Sequence, residues 1–271
     1  MLGVLVVAVG AVAGIATYGW IEAGWLRHRV LEVPVDGLPE PLDGLRIGHL
    51  SDFHLGAPLS RGNRASAKAV AWVTERSPEV VCITGDLVSH PRGESRLRAL
   101  IRSLDRPFVV LGNHDVAVTC DPFSRAAELR DLEHATLLAD DRVQFEHDGE
   151  RLLVVGVDPV SYRDGRARPD LLVDRDAAFR LLLCHFPGIV DRVPEASFDL
   201  ILTGHLHAGQ ICLPRPRGRI TLAHPRTRFV SGLYRVPAGL MHVSPGTGTT
   251  FVPFRFFARP EVTELVLRRR H

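Results

Sequence analysis

The sequence predicts a layered α/β domain. Short apolar runs of strand length alternate with helix-patterned segments, and that order implies right-handed crossovers and a largely parallel sheet. Several of the runs also end in a short polar motif. The carboxyl ends of strands are where ligands collect in open α/β sheets. At 271 residues the chain is long enough for one large domain or two small ones.

Residues 2–21 contain no charged side chain and end near Tyr18 and Trp20. About 20 apolar residues at roughly 1.5 Å each cover a hydrocarbon core of about 30 Å. The stretch reads as one N-terminal transmembrane helix, with 1–29 as the membrane anchor. A cleaved signal peptide fits less well because a basic leading region is absent. A buried core helix is the third reading. Arg27 and Arg29 follow the span, and no Lys or Arg precedes it, so the positive-inside rule places the following domain on the cytoplasmic side of the cell membrane. Residues 30–44 hold Pro34, Gly37, Pro39, Pro41 and Gly44, which predicts an extended linker. The globular domain then runs over 45–271.

Leu45 to Leu50 alternates like a strand and leads into Ser51-Asp52-Phe53-His54. Residues i and i+2 of a strand share a side, so Asp52 and His54 can offer a carboxylate and an imidazole to one point. His49 lies within the strand and reads as a packed or hydrogen-bonded histidine. Asn63 to Arg76 has a helical apolar face, and Pro78 ends it. Glu79 to Thr84 is continuously apolar from Val80 to Ile83, as a central strand is, and stops at Gly85-Asp86. A helix over 94–104 precedes the strand Phe108–Leu111, which delivers Gly112-Asn113-His114-Asp115. Asp121 and Pro122 mark the start of a helix to Leu132. Strands over 142–147 and 151–157 flank Asp148-Gly149, a strong hairpin signal. The polar loop 161–169, with its three arginines, reads as solvated. Phe179–Leu183 leads to Cys184-His185, and Phe198–Leu202 leads to Gly204-His205-Leu206-His207. Two histidines at i and i+2 can reach two adjacent metals. Arg215, Arg217, Arg219, Arg226 and Arg228 form a basic region that could meet a charged substrate or anionic lipid headgroups, or simply be solvated. Strands near 240–243 and 262–267 close the chain, and Arg268 to Arg270 read as a charged end.

The formal net charge of +2 predicts no general or specific affinity for nucleic acid. Lys68 is the only lysine, so the basic side is almost all arginine, which suits phosphate through its planar fork. Four cysteines without a Cys-x-x-Cys pair read as reduced thiols, mostly in the core. No Gly-x-Ser-x-Gly or P-loop motif supports a serine hydrolase or an NTPase.

The ordered set Asp-x-His, Gly-Asp, Gly-Asn-His-Asp, lone His and Gly-His-x-His resembles the calcineurin-like metallophosphoesterase superfamily over residues 45–267. The N-terminal span, Ser51-Asp52-Phe53-His54-Leu55-Gly56 and Gly209-Gln210 resemble its membrane-associated bacterial branch of YkuE- and YaeI-type phosphoesterases. The resemblance implies a four-layer αββα sandwich, two mixed β-sheets flanked by helices. It implies Asp52, His54 and His207 on one metal, Asn113, His185 and His205 on a second, and Asp86 bridging both. Carboxylate, imidazole and amide oxygen suit two divalent ions of Mn, Fe or Zn. The implied activity is hydrolysis of phosphomonoesters or phosphodiesters by a metal-bridging hydroxide. His114 would be catalytic, protonating the leaving oxygen or stabilising the phosphoryl group, and Asp115 would orient a neighbour. The implied partners are a phosphoester substrate and, through the N-terminal helix, a membrane. The rivals are a catalytically inactive membrane-anchored binding protein with the same fold, and a tethered structural protein.

Overall fold

The computed structural model describes residues 1–270 except Arg130, Arg217, His224 and Arg226. Two six-stranded mixed sheets carry the domain. The first runs, in spatial order, β1 (Arg27–Asp36), β14 (Glu261–Arg270), β2 (Arg46–Leu50), β3 (Val80–Thr84), β4 (Phe108–Val110) and β5 (Thr136–Leu137). The second runs β12 (Gly232–Val236), β13 (Gly239–Val243), β9 (Leu200–Thr203), β8 (Phe179–Leu183), β7 (Glu150–Gly156) and β6 (Asp141–His147). A separate hairpin pairs β10 (Cys212–Arg215) with β11 (Gly218–Thr221). β2, β3 and β4 are mutually parallel, as are β7, β8 and β9.

Side-chain alternation explains how the sheets stack. Val80 and Cys82 of β3 share a core with Leu152, Val154, Leu181 and Leu183 of the second sheet. Val81 and Ile83, one residue out of phase, pack instead with Val70 and Val73 of α2 (Gly62–Arg76) and Leu97 of α3 (Glu94–Ile101). The outer face of the second sheet is covered more thinly, by Tyr162 of the short α4 (Pro159–Arg163) and by Ile189 and Val190 of a 3₁₀ turn. Strands that need apolar residues on both faces are the continuous runs read from the sequence.

Several expectations change. The linker expected over 30–44 is partly strand: β1 pairs in parallel with β14 from Arg27↔Glu261 to Asp36↔Arg270. The alternating Val33 and Val35 are buried, and Leu42 anchors a 3₁₀ turn. Arg268 to Arg270 are therefore the end of β14, and Arg268 pairs with Glu32 at 3.0 Å. No helix forms over Pro122–Leu132 among the described residues; Arg130 lies outside them. Asp121 does cap a turn, accepting from Phe123 N at 2.9 Å. The following amides are then taken by the site loops, Arg125 N by Ser89 O and Ala127 N by Asp115 O.

The anchor needs the largest correction. Among the described residues no helix is long and apolar enough to cross a membrane. The helix α1 (Leu2–Glu22) exposes Val4, Val6, Val7, Val9, Val12 and Ile15, but its last turn docks on the domain. Arg255 N donates to Gly19 O, and the Phe256 ring lies so close that a Cβ on Gly19 would sit 2.3 Å from it. Trp20 Nε1 donates to Leu59 O, and buried Glu22 accepts from Ala258 N at 2.7 Å.

This docking predicts two different truncations. Removing residues 1–17 should leave the melting temperature nearly unchanged. Removing 1–29 deletes buried Ala23 and Leu26, the Glu22 bond and the start of β1. That loss should lower the melting temperature by about 10 °C or more. Equal melting of the two forms would show that the last turn of α1 is not part of the domain.

Candidate metal centre

The motifs meet at the carboxyl ends of β2, β3, β4, β8 and β9. Positive φ at Asp52, His54, Asp86, His205 and His207 marks how sharply the chain turns there. Such conformations cost energy in residues other than glycine and cluster at functional sites. Backbone bonds hold the turns: Asp52 N donates to Gly85 O and His54 N to Asp86 O, both at 2.9 Å. Two glycines permit the close approach. A Cβ on Gly112 would lie 2.1 Å from Asp86 Oδ1, and one on Gly204 would lie 2.4 Å from Asp52 Oδ2.

Two clusters of potential ligand atoms result, each within 4.8 Å: Asp52, His54, Asp86 and His207; and Asp86, His185 and His205. His54 Nε2 is 3.1 Å from His207 Nε2, and His207 Nε2 is 3.4 Å from Asp52 Oδ1. Asp86 Oδ2 lies 3.4 Å from His54 Nε2 and 3.1 Å from His185 Nε2. His185 Nε2 is in turn 3.2 Å from His205 Nδ1. Asn113 sits beside these atoms in the same pocket, and its buried Oδ1 has no hydrogen-bond partner. The sequence-predicted ligand residues therefore come together.

The donor set fits cations. His185 Nδ1 donates to Thr84 O at 2.8 Å, which turns Nε2 toward Asp86. His54 Nδ1 is held by Ser89 Oγ at 2.8 Å. Fixing the far nitrogen in this way orients an imidazole for a metal. Lone pairs of several groups, and the orphan amide oxygen, then face a common space, an arrangement that burial penalises unless a cation or proton lies between them.

The electrostatics carry the same message. Burial, helped by His114, holds His54 well below the usual histidine range, and burial with His54 does the same to His207. Burial alone would raise Asp86, but His185, His114 and His54 outweigh it and hold the carboxyl well below its usual range. Burial pushes Asp52 up to about 7. Burial and the charge on Asp86 raise Asp115 to about 7. Burial opposes the charged form of His185, but Asp86 prevails and raises it to about 9.

A cation must therefore displace protons. The Asp52 carboxyl, raised to about 7, binds its proton through mildly acidic pH, so affinity for divalent metal should climb as pH rises through about 7. Calorimetric titration in buffers of differing ionisation enthalpy should detect proton release on binding. Affinity independent of pH from 5 to about 8 would contradict this.

The catalytic candidate His114 is buried beside the clusters. Its backbone N donates to Asp86 Oδ1 at 2.8 Å. Its Nδ1 is 3.1 Å from Ser124 Oγ and 4.0 Å from Asp121 Oδ2. Its Nε2 lies 3.3 Å from both Thr119 Oγ1 and Thr250 Oγ1, on the wall of a cavity of about 400 Å³. Asp115 accepts from Gly112 N at 2.8 Å and Val88 N at 2.9 Å, so it braces the loops that carry Asn113 and Asp86.

Sequence reading missed Arg255. It is fully buried and donates to the carbonyls of Gly248, Pro245, Ala258 and His207. It thereby ties the loop after β13 to the backbone of His207. An arginine between Phe254 and Phe256 in an apolar stretch was the available signal. His49 is buried and bonded to His242 Nδ1 at 2.8 Å and Thr84 Oγ1 at 2.9 Å, away from the clusters. Cys82, Cys184 and Cys212 are buried free thiols, and Cys120 is exposed. Of the basic region, Arg228 pairs with Asp191, while Arg217 and Arg226 lie outside the described residues.

A two-sheet α/β sandwich with histidines, aspartates and an asparagine gathered at its strand ends defines a metallophosphoesterase. Residues 45–209 match the calcineurin-like phosphoesterase model, and the chain belongs to that family. A zebrafish (Danio rerio) relative, named a transmembrane protein with metallophosphoesterase domain, is 32% identical over 97% of this chain and 62% of its own length. The chain thus spans under two thirds of that protein. YkuE of Bacillus subtilis, an uncharacterized metallophosphoesterase, is 26% identical over 99% of this chain and 95% of its own. The phosphodiesterase YaeI of Escherichia coli is 24% identical over 94% and 93%.

Proposed function

We propose that the protein hydrolyses phosphomonoesters or phosphodiesters with a dinuclear metal centre. Asp52, His54 and His207 would hold one divalent cation, and Asn113, His185 and His205 the other, with Asp86 between them. The observation that carries this reading is the single oxygen Asp86 Oδ2, within 3.4 Å of His54 Nε2 and 3.1 Å of His185 Nε2. One anionic atom is thus common to both clusters. Mn, Fe or Zn would suit these ligands. When bound, such a pair supplies Lewis acidity, lowers the pKa of water and offsets phosphoryl charge.

The chain's own residues do the rest. Ser124 and Asp121 on the Nδ1 side orient the His114 ring, leaving Nε2 toward the cavity as the proton donor to the leaving oxygen. The cavity's wall combines Thr119 and Thr250 with apolar Ile211, Phe251 and Val252, a volume suited to a small ester. Asp115 keeps the Asn113 loop in place through Gly112 N.

We further read α1 as the element that meets a membrane, through its exposed apolar turns. Val4, Val6, Val7, Val9, Val12 and Ile15 are exposed, no residue from 4 to 15 is charged, and the zebrafish relative's name includes "transmembrane".

Activity on nitrophenyl phosphate mono- and diesters tests the reading. Turnover should vanish with a chelator and return with Mn²⁺, Fe²⁺ or Zn²⁺. A protein that binds metal stoichiometrically but turns over no ester would instead be an inactive binding protein.

A further inference from the structure

A second cleft opens at the foot of α1, with a volume of about 290 Å³. Tyr18 and Glu22 of α1, Arg27 and Arg29 of β1, Arg219 of β11, and Arg259 with Glu261 line it. It shares no lining residue with the cavity at His114. Four guanidinium groups face two carboxylates, so the cleft carries a positive excess.

The arginines are only partly engaged. Arg27 Nη1 is 3.5 Å from Glu261 Oε2, and Arg29 Nη1 is 3.8 Å from Glu261 Oε1. Arg219 donates to Phe257 O and Ser231 Oγ, and Arg259 to Trp25 O and Leu26 O. A guanidinium carries more N–H donors than these contacts use, in a fork that matches a phosphate.

None of these arginines bonds to Glu22, although its charge acts on Arg259 and on the neighbouring Tyr18 hydroxyl. Glu22 is 2% exposed; Oε1 accepts from Ala258 N, and Oε2 has no partner. A buried carboxylate oxygen without a donor calls for one. The cleft therefore offers donors to an anion and an acceptor to an N–H cation, side by side.

We propose that this cleft binds an aminoalkyl phosphate, presented as the headgroup of a phosphatidylethanolamine-type lipid. The arginines would take the phosphate and Glu22 Oε2 the primary ammonium. A choline headgroup has no N–H for Glu22, and a glycerol headgroup has no cation. The lipid source follows from the position: the cleft sits where the exposed apolar turns of α1 end, among exposed Tyr18, Trp20 and Trp25. Aromatic residues at that level are typical of a membrane interface. The choice of a lipid source rests on the membrane reading of α1; the ligand chemistry does not.

The test is flotation of the full-length, metal-loaded protein with vesicles. Phosphatidylcholine vesicles are compared with ones holding an equal fraction of phosphatidylethanolamine or phosphatidylglycerol. Association with phosphatidylethanolamine should be tighter by about tenfold, the scale of one charge-assisted hydrogen bond. Glu22→Gln keeps an acceptor for Ala258 N and should erase the preference while leaving binding to phosphatidylcholine and ester hydrolysis intact. Arg29→Gln should weaken phosphatidylethanolamine binding too. Equal binding to all vesicles, a preference for phosphatidylglycerol, or a preference that survives Glu22→Gln would overturn the proposal. If the protein floats with none, the membrane reading of α1 falls and the lipid source with it. Glycerophosphoethanolamine in solution then decides the ligand chemistry: Glu22-dependent binding upholds it, and no binding overturns it.

Discussion

Asp86→Asn is expected to lose activity by on the order of 10³-fold or more, the scale of removing a principal charge-stabilising group. The substitution keeps the shape of the side chain, and an amide oxygen can still accept from His114 N. The fold should therefore survive, with melting close to the parent. What disappears is the one anionic oxygen common to both ligand clusters. Metal content should drop along with turnover. An Asp86→Asn protein with full activity would remove the basis for placing Asp86 between two cations.

His114→Ala should behave differently. Its ring is held by Ser124, Thr119 and Thr250 and takes no part in either cluster of ligand atoms. Both metals should stay bound while activity falls by roughly 10²–10⁴, the size of one acid–base contribution. The loss should depend on the ester. A nitrophenolate needs little protonation as it leaves, so its ester should suffer less than an alkyl ester. His205→Ala should lose metal and act alike on both esters. Metal loss in His114→Ala would make it a ligand or an essential support. Equal losses on both esters would leave only electrostatic stabilisation of the phosphoryl group.

The site was legible because each part of it is local. A strand that ends in glycine followed by Asp, Asn or His is a pattern within a few residues, and the fold needs only to align the strand ends. Asp86, Asn113 and His205 follow such a glycine, Asp52 and His185 follow Ser51 and Cys184, and these residues with His207 sit two to four residues beyond their strands. The misreadings have the opposite character. β1 exists because it pairs with β14, more than two hundred positions away, in a register no local signal fixes. Pro34 within it, and Gly37, Pro39, Pro41 and Gly44 after it, masked the buried alternation of Val33 and Val35. The segment after Asp121 has a good cap, but its amides bond to Ser89 and Asp115, so tertiary partners overrode propensity. The foot of α1 looked like a membrane span because apolar composition cannot distinguish lipid from a ring such as Phe256. The role of Arg255 was missed for a related reason: its partners are carbonyls of loops that meet only in the folded chain.

Anomalous diffraction from crystals grown with Mn²⁺ or Zn²⁺ tests the dinuclear reading most directly. The account predicts two peaks in each chain, one beside Asp52, His54 and His207 and one beside Asn113, His185 and His205, with the Asp86 carboxylate between them. The same protein should hydrolyse a nitrophenyl ester in the loaded state only. A single peak that leaves Asn113, His185 and His205 without a metal, or full hydrolysis after all metal is stripped, would contradict it.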